Sequence, residues 1–216
     1  MKHVMLYVPA LLLAGMFTFC KNSTPEKPTT EFLPERTDSL FGLKGCDRAG
    51  FRMLSPTEHE FVYQDFTVHI TKKPDGSEEI KAVRTDSTTS DLDIVHEGPS
   101  YFRGSSHGQI FVEEDKGPGN HEMAIYHVNR RSLMLRTPFC GDMEIWANGN
   151  VWFYTPIEES EVSKMPECPE KAEWDKKGWK TTYGQRSIFH LVNRTLTKKS
   201  EFACFPPKEA PAEKNN

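Results

Sequence analysis

After its first twenty residues the chain of 216 has no second long apolar run. It has no surplus of positive charge, and no two of its cysteines stand close together in sequence. Each absence removes a class. Without further apolar stretches, a bundle of membrane-spanning helices is excluded. The formal net charge is −4 and the isoelectric point about 6.1. Such a chain carries neither the electrostatic footprint of a nucleic-acid binder nor a polybasic membrane patch. Cys20, Cys46, Cys140, Cys168 and Cys204 form no CxxC pair, the spacing that structural zinc sites use. We therefore expect no metal and no cofactor. The strand spacing of the middle region is that of one propeller blade, but no second copy follows at the ~40–45 residues a propeller repeat requires.

What is present begins at the N-terminus. Lys2 is followed by an almost unbroken apolar run from Val4 to Phe19. A positive charge and then an apolar run is the layout of a secretory signal. The run is at or just below the roughly 17–25 residues of a membrane span. Cys20 ends it, and Pro25, Pro28 and Pro34 punctuate the polar stretch beyond. This start resembles a bacterial lipoprotein precursor, in which the apolar segment closes on a lipobox whose Cys is acylated. Phe17 and Phe19 stand where that family often has Leu and a small residue. The resemblance covers only this N-terminal stretch. It implies lipidation at Cys20, export, and a lipid-anchored place in the cell envelope, at the outer membrane or in the periplasm. The organisation we expect is a signal peptide over 1–19, the lipidated Cys and a flexible tether over 20–37, one β-rich domain over 38–205, and a disordered tail over 206–216.

With Cys20 acylated, four cysteines remain, enough for two disulfides in an oxidising compartment. Sequence alone leaves three connectivities open. We expect Cys46–Cys140 and Cys168–Cys204, because the last two flank a single C-terminal unit.

The body reads as strands. Phe61, Tyr63, Phe66, Val68 and Ile70 alternate, with one break near Asp65 that we read as a bulge. Pro74-Asp75-Gly76 is a strong turn signal, so 60–72 and 78–85 form a hairpin. A short strand over 92–96 follows. Runs at 109–113, 123–128, 132–136, 143–146 and 151–154 form a meander, with Asn148-Gly149 favouring a tight hairpin. Pro169 and Gly178 bracket one short helix, and strands at 186–193 and 200–205 end the domain. The fold class is mostly β: an antiparallel meander sheet, sandwich or open barrel with one short C-terminal helix.

Three groups of residues are candidates for function. Glu113, Glu114, Asp115, His121 and Glu122 flank a Gly-Pro-Gly loop, and we read them as a solvated hairpin tip. Ser106 and His107 set a hydroxyl beside an imidazole. Neighbouring residues on a strand point in different directions, so neither a nucleophile–base pair nor a nucleophile elbow is expected there. Trp146, Trp152, Tyr154, Trp174 and Trp179 are either core or a contact surface. The expected function is that of an envelope lipoprotein acting as a binding or structural module rather than an enzyme. Its partner would be an envelope or extracellular protein or polysaccharide, with no nucleic acid involved. The alternatives are an exported hydrolase using His and carboxylates of 107–122, and a periplasmic enzyme inhibitor.

Overall fold

The structure, a computed structural model, describes residues 31–32, 43–86, 91–94, 96, 98–117 and 120–206. The signal segment, Cys20, most of the tether and the C-terminal tail lie outside the described residues. The class is mostly β, as expected, and the strands are arranged in three sheets.

The first sheet takes β1 (Glu31–Phe32), β3 (Gly50–Met53), β4 (Glu58–Val62), β5 (Phe66–Lys72), β6 (Glu78–Arg84) and β7 (Leu92–Ile94), in that spatial order. The middle sheet is a four-stranded meander of β8 (Ser100–Ser106), β9 (Gln109–Asp115), β10 (His121–His127) and β11 (Ser132–Pro138). The last sheet takes β12 (Cys140–Ile145), β13 (Asn150–Pro156), β14 (Thr182–His190) and β15 (Thr195–Phe205). Its far edge is β2 (Leu43–Lys44), paired in parallel with β12. Between β13 and β14 run a 3-10 turn over Glu159–Lys164 and α1 (Lys171–Lys176), neither with a fully buried residue.

The alternation of side chains along the middle strands explains the layering. Successive residues of a strand face opposite sides. Ile110, Val112 and Ala124 join Phe61, Val68 and Ile80 of the first sheet in one core. Phe111, Met123 and Ile125 join Met143, Val151 and Phe153 of the last sheet in a second core. The middle sheet is therefore packed on both faces, and β9 is buried along almost its whole length. Burying a large apolar side chain contributes about 1.5–3 kcal/mol, so each core rests on many such terms.

Several expectations are corrected. The break near Asp65 is a tight turn, not a bulge. Val62 pairs with Thr67, the Tyr63 N–H donates to the Phe66 carbonyl at 2.9 Å, and the two rings stack at 4.9 Å. The expected meander over 109–154 divides at Pro138–Cys140, where the chain leaves the middle sheet for the last one. Glu31 and Phe32, read as tether, pair with Phe51 and Gly50. Val192, read as strand, lies in a turn after β14 and is 85% exposed.

Cys168 and Cys204 are bridged, as expected, with Cα atoms 6.0 Å apart. Cys46 and Cys140 are not joined in a disulfide, which corrects the second expected pair. The register explains why. Leu43 lies beside Met143 and Lys44 beside Glu144 in a parallel pair, so Cys46 falls beyond the far end of β12 from Cys140. At ~3.3 Å per residue that separates them by on the order of 20 Å, whereas a disulfide needs Cα atoms within about 7 Å. Gly45 makes the parallel contact feasible. It has a φ of +85°, and a Cβ there would sit 1.8 Å from the Ile145 carbonyl oxygen. Burial pushes the Cys140 thiol up to about 12, so it stays protonated.

Candidate functional site

Two sites emerge, one polar and inside the stack, one aromatic and outside it. The polar one grows from consecutive acids on β9. Glu113 and Glu114 are 4% and 1% exposed, which corrects their reading as a solvated tip. Strand alternation sends them to opposite faces of the middle sheet.

On the face toward the first sheet, the Glu114 carboxylate receives three partners. His96 Nδ1 lies 2.8 Å from Oε1, Arg136 donates to the same oxygen at 2.9 Å, and Lys116 Nζ lies 2.9 Å from Oε2. Burial pushes the Glu114 carboxyl upward. The Lys116 ammonium beside Oε2, with His96 and Arg136 nearby, outweighs it and holds the group below its ordinary range. Burial lowers His96, and Glu114 only partly offsets that. His96 is thus a neutral imidazole whose Nδ1–H donates to a carboxylate. Its side chain is 3% exposed, and its Nε2 has no hydrogen-bond partner among the described residues.

On the face toward the last sheet, Glu113 accepts from Arg103 Nε at 2.7 Å. His121 Nδ1 lies 2.9 Å from its other oxygen, without the alignment of a hydrogen bond. His121 also lines a small cleft of about 270 Å³ with Lys116, Glu122 and Phe139. His107 is not part of this group. It precedes β9, whereas His121 pairs with Asp115 at the other end of that strand. The length of β9 keeps the two imidazoles about 20 Å apart.

Gly104-Ser105-Ser106-His107-Gly108 carries the G-x-S-x-G spacing of a nucleophile elbow, a signal that the sequence reading passed over. The structure also corrects the expectation that Ser106 and His107 point apart. His107 adopts a φ of +53°, which folds its ring back so that Nδ1 lies 2.9 Å from the Ser106 hydroxyl. The motif nevertheless sits in the β8–β9 hairpin and not at the strand-to-helix turn the elbow requires. Asp47 takes the His107 backbone N–H at 2.9 Å and the Ser106 hydroxyl at 3.4 Å. A catalytic acid must hold the imidazole; this one holds the turn.

The aromatic site lies on the outer face of the last sheet. The Asn148-Gly149 turn fixes the register of β12 and β13, with the Gly149 N–H donating to the Trp146 carbonyl at 2.9 Å. Trp146 and Trp152 stack with centroids 4.7 Å apart. The Arg186 guanidinium lies 4.2 Å from the Trp152 centroid, and Tyr154 packs against Phe205 at 5.0 Å. Trp146 is 43% exposed, and Trp152 and Tyr154 are half-buried. Trp174 and Trp179 stand elsewhere, at the short α1, with Lys177 over the Trp179 ring at 4.6 Å. The structure therefore brings together three of the five expected aromatic residues and sets two apart. Sequence reasoning missed Arg186, Glu144 and Phe205. Arg186 reaches the aromatics through pairing of β14 with β13, and Phe205 through β15 on β14, which local sequence does not display; Glu144 lies opposite Trp152 across the Asn148-Gly149 hairpin.

Among the described residues, one set of three His, Cys, Asp or Glu ligand atoms lies close enough to hold a metal: Cys168, Glu170 and Cys204. The disulfide occupies both of its sulfurs. Among the described residues no helix is long and apolar enough to cross a membrane. Comparison with protein-family models, with curated proteins and with solved structures finds no match for this chain.

Proposed function

We propose that this is an exported, lipid-anchored cell-envelope protein whose β stack is a binding module, with the outer face of the last sheet as its contact surface. The observation that carries the reading is the exposed Trp146 indole, stacked flat on Trp152 with Arg186 closing the other side. Rings braced in this way lose little freedom on binding, and they offer an apolar face beside polar edges. Glu144 and Arg186 flank them and can hydrogen-bond a hydroxylated partner. A saccharide of an envelope polymer is the partner this surface suits best. The Cys168–Cys204 bridge supports an oxidising compartment, and the apolar start ending at Cys20 supports the lipid anchor. The hydrolase reading draws less support, because His107 and His121 lie at opposite ends of β9.

Co-sedimentation with purified peptidoglycan and with envelope polysaccharide tests the binding role. Wild type should be retained, and Trp146→Ala should weaken retention about tenfold, which is ~1.4 kcal/mol, while the melting temperature stays unchanged. Equal retention of the variant, or no retention of wild type, removes the proposal. The intact mass of the native protein tests the anchor: acyl mass on a chain beginning at Cys20 is the expected result.

A further inference from the structure

The first and middle sheets meet in a cleft of about 540 Å³, lined in part by Lys73, Glu78, Lys81, Asp93, His96 and Ser100. It lies apart from the aromatic face, which belongs to the last sheet. Two of its groups are unusual. His96 is buried and clamped through Nδ1 to Glu114, so its Nε2 offers a lone pair. That nitrogen has no hydrogen-bond partner among the described residues. A buried acceptor left unpaired is destabilising, and a ligand donor would remove that penalty.

Glu78 is the second group. One of its carboxylate oxygens accepts the Phe102 N–H at 2.6 Å. No Lys, Arg or His lies within ion-pair distance of it among the described residues. Burial is the main influence on its carboxyl and pushes it upward, against the smaller opposing pull of the Phe102 N–H and of the more distant Lys72 and Arg103. Ser100 donates its hydroxyl proton to the Glu78 carbonyl at 2.9 Å and so is not a free donor. Lys81 is engaged by Asp91 at 2.7 Å. Lys73 lines the cleft as well, but Glu78, Glu79 and Asp93 outnumber the two lysines in its walls, and Glu78 is the acid among them that is part-buried with no ion-pair partner among the described residues.

From this we infer that the cleft is a binding site for a small organic cation bearing N–H donors, an ammonium or guanidinium. Glu78 supplies the counter-charge and His96 Nε2 an oriented acceptor. An inorganic anion is disfavoured because acids outnumber lysines in the lining. A transition metal lacks a third protein ligand here, since the one three-ligand set among the described residues lies at Cys168, Glu170 and Cys204.

The test titrates the full chain with agmatine and with putrescine, read by calorimetry and by the ring-nitrogen NMR signals of 15N-histidine-labelled protein. Zinc and inorganic phosphate serve as the other arms. Saturable binding of an amine with movement of the His96 Nε2 signal is expected. Glu78→Gln keeps an acceptor for the Phe102 N–H and removes the charge. It should weaken binding about tenfold, which is ~1.4 kcal/mol, with an unchanged melting temperature. His96→Gln should also weaken it. Because His96 is buried, that variant counts only if its strand signals match wild type, and Glu78→Gln carries the test otherwise. Amine binding that Glu78→Gln leaves unchanged overturns the proposal. So does an absence of saturation up to about 10 mM, weaker than the millimolar range that corresponds to ~4 kcal/mol. Zinc or phosphate shifting His96 where the amines do not overturns it as well.

Discussion

On the face of β9 turned toward the first sheet, Glu114 meets His96, Lys116 and Arg136. On the opposite face, Glu113 meets Arg103 and His121. Neighbours in sequence thus close two separate cores at the same end of the middle sheet. The partners differ in what they can do if the acid is lost. Arg103 is 30% exposed and can turn to solvent, although both ring nitrogens of His121 are shielded from it. His96, at 3%, has no such escape. A buried carboxylate is therefore more costly to remove where its partner is trapped than where its partner can turn to water.

The first way to break the comparison is Glu114→Ala. It strands the His96 Nδ1–H and leaves Arg136 and Lys116 facing an emptied site, for an expected loss of about 3 kcal/mol in urea unfolding. Glu113→Ala should cost less, about 1–2 kcal/mol, because Arg103 can rehydrate. If the order of the two is reversed, trapping of the partner is not what separates them. The smallest expected effect is the response to acid. His96 is held below its ordinary 6.5, so the unfolded chain takes up a proton that the folded one refuses. Stability should then fall as the pH drops through that value. Glu114, held below 4.5, adds a further loss once the pH passes under that value. Glu78, raised above 4.5 by burial, works in the opposite sense and regains stability as it protonates. Unfolding measured at about pH 7.5 and about pH 5.5 reads the histidine contribution. His96→Gln should flatten the slope between them, and an unaltered slope would assign it to other groups, His59 and His127 among them.

Much of the fold is legible where the signal is local. Asn148-Gly149 fixes a hairpin, and the hairpin fixes the Trp146–Trp152 stack. The Cys168–Cys204 bridge follows from two cysteines flanking one short unit. What stayed hidden depends on pairing across distant sequence. A two-residue strand such as Leu43–Lys44 has no periodicity to read, so the position of Cys46 could not be foreseen. The acids at 113–114 look like a hairpin tip because apolar alternation stops there. Their burial is supplied by Arg136, Arg103 and His96, which come from other strands and from the connection after β7. The cleft beside His96 was invisible for the same reason, since its walls belong to two sheets.

The strand β2 carries a consequence for synthesis. It emerges from the ribosome before every strand of the two cores, yet its partner β12 arrives only after the first and middle sheets are complete. Domains assemble from the N-terminal side during translation, and pairings between distant segments form slowly. The segment around Leu43 must therefore wait undocked while most of the body is made. Its apolar side chain, 1% exposed in the finished fold, is accessible throughout that interval. This interval is when a factor that recognises exposed apolar chain would still find a handle.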